Sequence, residues 1–282
     1  MIVKEYNCAI RNDMWATNYI NSHTMSIGFM CAYACMAKSC SPGKVVLELT
    51  TMSQGTWPHL DKYQTKRLEE MLIVVDENDQ VLGTESKMNC HLNKNIEKGL
   101  LHRGFSVVLF STENKLLLQQ RAETKYTYPG CFSDSCSSHP LYEPLDMEES
   151  HAIGMKRAAN RHLHAELGIP QEHISLDDII FVTGLHYKLP LTELLGEHEI
   201  GYLLFVRKDV TLNPDPKEVK DYIYVTKEEL ENLLEQETKD KPKFTGWFHI
   251  IAKFFLFKIW DNLHDLNLFV EPDKIHRTEK HV

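Results

Sequence analysis

From about residue 66 onward, apolar and polar positions fall into short runs with the periods of strand and helix. Met71 to Val75 is apolar, Asp76 to Asp79 has turn composition, and apolar residues resume at Val81-Leu82, which predicts a hairpin. Phe105 to Phe110, a turn around Glu113-Asn114, and Leu116 to Gln120 predict a second one. Between Glu149 and Leu167 the apolar residues Ala152, Met155, Ala159, Leu163 and Leu167 keep the spacing of one helical face, and Gly168 and Pro170 end the run. Ile179 to Tyr187 and Ile200 to Val206 read as strands, Lys227 to Leu234 as a short helix, and Trp247 to Leu263 as an aromatic-rich helix closing one side of the core. The chain has no internal repeat and no low-complexity segment. These elements sum to an α/β (α+β) domain, a mixed β-sheet sandwiched between helices.

Residues 1 to 65 differ. They are poor in charge and carry an apolar stretch, Met25 to Ala37, flanked by Lys38. That stretch starts late and follows Glu5 and Asp13, unlike a secretory signal, and Arg11 alone is too few for a mitochondrial presequence. The expected organisation is a poorly ordered extension over 1–65, one domain over 66–277 and a short tail over 278–282. No run approaches 18 uninterrupted apolar residues, so no transmembrane helix is expected.

Of the 282 residues 43% are hydrophobic, enough for a sizeable core, and the formal net charge is -9. Such a chain lacks the basic footprint of a nucleic-acid binder, though a few local cations can still hold an anionic small molecule. The seven cysteines, Cys8, Cys31, Cys35, Cys40, Cys90, Cys131 and Cys136, are odd in number and unevenly spaced. They form no disulfide framework and fit a reducing compartment.

Three features carry candidate chemistry. His91, His102 and His139 are three imidazoles among the chain's 15 histidines. In Glu197-His198-Glu199 two carboxylates stand two apart, which on a strand turns them to one face. Together they would make a divalent-metal site of nitrogen and oxygen ligands, with surface histidine as the plainer alternative. The third feature is the helix end Arg161-His162-Leu163-His164-Ala165-Glu166-Leu167-Gly168-Ile169, which resembles the end of a Nudix box. Two glutamates expected there are replaced by His162 and Ala165, while Glu166 remains, so the fold signal survives and the hydrolytic metal cluster does not.

The stretches Asn89-Cys90-His91-Leu92-Asn93, Gly99-Leu100-Leu101-His102-Arg103, Tyr128-Pro129-Gly130, Ser138-His139-Pro140 and Gly196-Glu197-His198-Glu199 resemble, in order and spacing, those of the animal type I isopentenyl-diphosphate delta-isomerases. The resemblance runs from about residue 66 to 277 and implies a Nudix-like fold. Ser135-Cys136-Ser137-Ser138-His139 and His276-Arg277 look most like the divergent second mammalian isoform.

The resemblance implies conversion of isopentenyl diphosphate to dimethylallyl diphosphate by metal-assisted protonation and deprotonation, a step of isoprenoid, sterol and cholesterol biosynthesis. It implies a divalent metal (Zn2+, Mn2+ or Mg2+) among His91, His102, His139, Glu197 and Glu199, with Glu199 at the substrate double bond and Tyr187 assisting the proton transfer. Lys87, Arg121 and Lys125 match diphosphate-binding positions, and Ser138 a further substrate contact. Glu166 matches a ligand of the Mg2+ that arrives with the substrate. Trp247 and Tyr187 match aromatic faces that stabilise a cationic intermediate.

Three positions depart from the family pattern. Ser137 stands where the family has a cysteine, the second acid–base group, and a hydroxyl is a far poorer acid or base than a thiol of pKa about 8.5. His162 replaces an arginine that reaches the diphosphate. Gly246 replaces a proline, which predicts a looser approach of the last helix. A slow isomerase is therefore expected, with a binding-only relative and a Nudix diphosphate hydrolase as alternatives. A monomer is expected, acting on a small molecule without nucleic acid or membrane, in the peroxisome or cytoplasm. The end Lys280-His281-Val282 is a weak echo of a peroxisomal address.

Overall fold

The computed structural model describes residues 62–238 and 244–278. Most of the 1–65 extension, the cysteines at 8, 31, 35 and 40, and the end Lys280-His281-Val282 lie outside the described residues.

A short helix α1 (Lys62–Arg67) leads into the hairpin β1 (Met71–Val75) and β2 (Val81–Ser86). Two one-turn helices, α2 (Lys87–Cys90) and α3 (Asn93–Ile96), precede the long strand β3 (His102–Phe110), and β4 (Leu116–Arg121) follows it. Short strands β5 (Phe132–Ser133) and β6 (Cys136–Ser138) come next, then the long helix α4 (Ile153–Leu167). Strands β7 (Ile180–Pro190), β8 (Gly196–Arg207) and β9 (Val219–Val225) complete most of the sheet, and α5 (Lys227–Glu235) follows. The last helical stretch is α6 (Gly246–Ile251), a π turn (Ala252–Leu256) and α7 (Phe257–Trp260), before β10 (Ile275–Arg277).

The sheet is mixed, as expected. Strand β3 is its axis, parallel to β8 from His102↔Glu199 to Phe110↔Arg207. Its other edge is shared by β1, β6 and β4 in turn. Every residue of β3 is buried, because helices cover both faces. Val108 and Phe110, with Leu203 and Phe205 of β8, pack beneath Phe248 and Ile251 of α6 and Trp260 of α7. Phe105, Val107 and Leu109, with Leu204 and Val206, pack on Met155, Ala159, Leu163 and Leu167 of α4. The period-two alternation thus gives the sheet two cores. Toward the start of β3 the α6-side positions become His102, Gly104 and Ser106, and there the apolar core gives way to polar groups.

The predicted helix 149–167 begins later, at Ile153. His151 and Ala152 have φ of 51° and 54°, outside the helical region, so residues 150–152 form a separate 3-10 turn. Gly168 ends α4 with φ 66°, where a Cβ would meet the Asn213 carbonyl. The strands predicted at 179–187 and 200–206 both extend further: each continues to pair beyond the apolar run, through the polar residues of the site. Gly246 is tightly packed rather than loose, since a Cβ there would lie 2.7 Å from the Tyr128 hydroxyl and 3.0 Å from Leu189 Cδ1. No helix among the described residues is long and apolar enough to cross a membrane.

Candidate active site and metal centre

Sheet register builds the centre of the site. Tyr187 pairs with Glu199, and Glu199 with His102, so three polar side chains stand in one row across β7, β8 and β3. The Tyr187 hydroxyl donates to Glu199 Oε2 at 2.5 Å. His139 Nε2 lies 2.8 Å from Glu199 Oε1, and His102 Nε2 lies 3.2 Å from the same oxygen. Gly104 makes room for this carboxylate, because a Cβ there would run into Glu199 Oε2. Burial alone would raise the Glu199 pKa, but His139 and His102 outweigh it and hold the carboxyl well below its usual range. Burial and then Glu199 push the Tyr187 phenol far up, so it stays protonated.

His91, His102, His139 and Glu199 offer ligand atoms that all lie within 4.8 Å of one another. Glu197 joins them through His91, whose Nε2 is 2.9 Å from Glu197 Oε2. His139 Nε2 is hydrogen-bonded to Glu199 Oε1, but the His102–Glu199 and His91–Glu197 approaches are poorly directed: His102 Nδ1 and Nε2, His139 Nδ1 and Glu197 Oε2 are buried without a hydrogen-bond partner. Three imidazoles and a carboxylate buried this close together, with His102 Nε2 lacking a hydrogen-bond partner, suit a divalent cation. The Lys87 carbonyl lies 2.6 Å from His91 Nδ1, which fixes the ring with Nε2 turned to the cluster. The residues present fit a metal ion.

Beside this cluster is a cleft lined by Lys87, Phe105, Arg121, Lys125, Tyr126 and Thr127, together with Ser137, Ser138, His139, Tyr187, Glu197, Glu199 and Trp247. A larger groove of about 680 Å3, with Phe254, Leu268 and Arg277 in its wall, lies elsewhere and gathers no comparable set of groups. Chemistry, not volume, selects the smaller cleft.

The three sequence-predicted cations all line it. Lys87 is buried, with Nζ 5.6 Å from the centre of the Tyr126 ring, and burial together with Arg67 lowers its pKa to about 8. Arg121 donates to the Thr127 carbonyl at 2.9 Å and lies over the Trp247 ring at 5.4 Å. Lys125 Nζ is held by Glu218 Oε2 at 2.5 Å. Glu166 belongs neither to the His/Glu cluster nor to the cleft wall. It is buried beside Gln119 Nε2 and His162 Nδ1, each at 3.3 Å. Its pKa is lowered because Lys125, His162 and Arg67 outweigh its burial. Ser138 Oγ lies 3.3 Å from His162 Nε2.

Ser137 and Trp247 are joined by a residue that sequence reasoning missed. Asp134, in the turn between β5 and β6, accepts from Ser137 Oγ and, at 3.4 Å, from Trp247 Nε1. Arg67, Tyr126 and Thr127 were missed as well. Arg67 Nη2 lies 3.4 Å from His162 Nδ1, and Tyr126 Oη lies 3.2 Å from His91 Nε2. The signal for Tyr126 and Thr127 was their place beside Lys125 and Tyr128-Pro129-Gly130; for Arg67 and Asp134 no period or motif marks the position.

Comparison with known proteins gives consistent matches. The Nudix domain family matches residues 100–248. The chain is 59% identical over 226 residues to isopentenyl-diphosphate delta-isomerase 1 of Bos taurus, covering 80% of this chain and 100% of that protein. It is 60% identical over 226 residues to isopentenyl-diphosphate delta-isomerase 2 of Homo sapiens, with the same coverage. It is 45% identical over 222 residues to an isopentenyl-diphosphate delta-isomerase of Dictyostelium discoideum, covering 77% of this chain and 93% of that protein.

Proposed function

Given that this chain belongs to the isopentenyl-diphosphate delta-isomerase family and carries a Nudix domain, we propose that it converts isopentenyl diphosphate to dimethylallyl diphosphate. The observation that carries this reading is Glu199, bridged by His102, His139 and Tyr187 in the wall of a cleft that also presents Lys87, Arg121 and Lys125. A carboxylate set for proton work beside a cluster of cations suits a diphosphate joined to a reactive alkene.

An unactivated alkene is a very weak base, so the acid that protonates it must be tightly held and shielded from water. Tyr187 and Glu199, joined by a 2.5 Å hydrogen bond, are our candidates for the proton-donating pair. On the other carbon a proton is removed, and Ser137 is our candidate for the group that takes it. Trp247 offers a ring face to the tertiary cation between the steps. Lys87, Arg121 and Lys125 bind the diphosphate, and Ser138 adds a contact. A divalent ion held by His91, His102, His139, Glu197 and Glu199 would fix the charge and orientation of Glu199. Zn2+ suits the imidazoles, and Mn2+ or Mg2+ the mixed set. Glu166 is our candidate ligand for an Mg2+ carried in on the diphosphate.

We take residues 66–277 as the catalytic domain, acting as a monomer in the peroxisome or cytoplasm and feeding isoprenoid and sterol synthesis. Buried Cys90 and Cys136 support a reducing compartment. The test is turnover of isopentenyl diphosphate in D2O, followed by NMR, with added Mg2+ and Zn2+ and after chelation. Deuterated dimethylallyl diphosphate is expected, with activity lost on chelation. Phosphate release in its place would make the chain a hydrolase, and binding without product would make it a carrier.

A further inference from the structure

Ser137 poses a chemical problem that its surroundings answer. A lone serine hydroxyl holds its proton too tightly to act as a base near neutral pH. Behind it lies Asp134, whose exposure is 0%, and which is not part of the cleft wall. Ser137 Oγ straddles this carboxylate, 2.6 Å from Oδ1 and 2.5 Å from Oδ2. Ser133 Oγ donates to Oδ1 at 2.6 Å, and Trp247 Nε1 lies 3.4 Å from the same atom. Ser106 Oγ approaches Ser137 Oγ at 3.2 Å. Among the described residues no cation pairs with Asp134. Hydroxyls and an indole N–H satisfy it, and they only partly offset the burial that raises its proton affinity. Ser137 faces the cleft, Asp134 does not, and one short hydrogen bond joins them.

Resting on the isomerase reading, we propose that Asp134 and Ser137 act as one relay, in which Asp134 holds the proton that Ser137 takes from the substrate. The C–H bond breaks as an O–H bond forms on Ser137 Oγ. The original hydroxyl proton passes to the Asp134 carboxylate, and the C–H electron pair becomes the new C=C bond of the product. The tertiary cation consumed in that step is the one formed by protonation from the Tyr187–Glu199 side. Asp134, now a neutral acid, returns its proton through Ser137 to water once product leaves, and the Tyr187–Glu199 pair regains from water the proton it gave to the alkene. No oxidant, reductant or further reactant is needed. The same geometry makes a bare Ser137→Cys exchange a poor repair: a thiolate at that position would face a buried carboxylate at hydrogen-bond distance, and like charge disfavours its formation.

The test is a set of full-chain variants, each checked for folding by thermal unfolding and assayed for kcat and KM. With Ser137 present, Asp134→Asn should lower kcat by about tenfold or more, the range of a general acid–base group, with KM little changed. Ser137→Ala should lower it by a similar factor, and adding Asp134→Asn to that variant should lower it no further. In the Ser137→Cys background the sign should reverse: Asp134→Asn should raise kcat, because it removes the charge that opposes the thiolate. A purely structural role for Asp134 would lower kcat in both backgrounds and overturn the proposal. So would an unchanged kcat in either Asp134→Asn or Ser137→Ala; the latter arm stands even if Asn at position 134 prevents folding. Turnover by the Ser137→Cys variants but none by the parent would overturn the relay and leave the isomerase reading standing. Folded chains without turnover in any of them would sink both.

Discussion

Tyr187→Phe isolates one hydrogen bond in the centre of the site. Tyr187 is buried, with 5% exposure, and its ring is kept by the substitution. Only the hydroxyl goes, and with it the 2.5 Å bond to Glu199 Oε2. His102 and His139 still face Glu199 Oε1, so the ligand cluster is untouched. A hydrogen bond to a charged group contributes about 1.5–3 kcal/mol. At about 1.36 kcal/mol per factor of ten, a bond that strengthens by this amount in the transition state lowers kcat by about 10- to 160-fold when it is removed. KM should stay within about twofold, since no diphosphate contact is involved. The assay is steady-state turnover of isopentenyl diphosphate, with bound metal measured on the same sample by elemental analysis. An unchanged kcat would show that the phenol takes no part in the proton transfer. A loss that tracks metal content would mean that Tyr187 only supports the ligand cluster.

Glu199→Gln keeps the size of the side chain and removes its charge; turnover and metal content should fall together, and full metal retention would remove Glu199 from the ligand set. Arg121→Ala should raise KM about tenfold or more with kcat little changed, because a diphosphate contact acts in ground and transition state alike; an unchanged KM would locate the diphosphate elsewhere. Gly104→Ala should lower kcat while the chain still folds, since the new methyl collides with Glu199 Oε2 and overpacking of this kind costs about 1–3 kcal/mol; a variant with parental kcat would show that Glu199 has room to move.

Much of the sheet was readable because strands buried on both faces leave long apolar runs, as in Phe105 to Phe110. What the runs hid was strand length. β8 begins at Gly196, four residues before its apolar part, because Glu197 and Glu199 keep their ladder bonds while their side chains enter the site. A hydrophobic pattern marks where a strand meets core, not where its hydrogen bonds stop. The kink at His151-Ala152 was invisible for a similar reason: the apolar spacing continues through it while the backbone does not. Residue types and spacing offered the His and Glu positions as a candidate metal set, with surface histidine as the plainer alternative, and the family motifs pointed to the same set. Their pairing into the Tyr187–Glu199–His102 row needs the register of three strands, of which β3 is far in sequence from the adjacent β7 and β8. Asp134 left no trace, because a carboxylate in a two-residue turn between short strands reads as a solvated loop charge until the fold buries it.

The three positions expected from the resemblance to depart from the family pattern each meet a neighbour that changes their meaning. Ser137 taken alone lacks proton affinity, yet Asp134 lies on its hydroxyl. His162 taken alone lacks the positive charge of an arginine. Burial keeps it neutral, and Arg67 brings a guanidinium within 3.4 Å of its Nδ1 and close enough to lower the pKa of Glu166. The same Nδ1 lies 3.3 Å from Glu166 Oε1, and Nε2 lies 3.3 Å from Ser138 Oγ, so the ring links Arg67, Glu166 and Ser138. Gly246 taken alone lacks the stiffness of proline, yet Tyr128 and Leu189 occupy the space a side chain would need, and the Tyr128 ring meets Trp247 edge-on with centroids 5.1 Å apart. A site that had merely lost function would leave these positions as unfilled space or unpaired charge. Here a carboxylate, a guanidinium and an aromatic ring stand against them, which favours a working isomerase with a rearranged acid–base half over a binding-only relative.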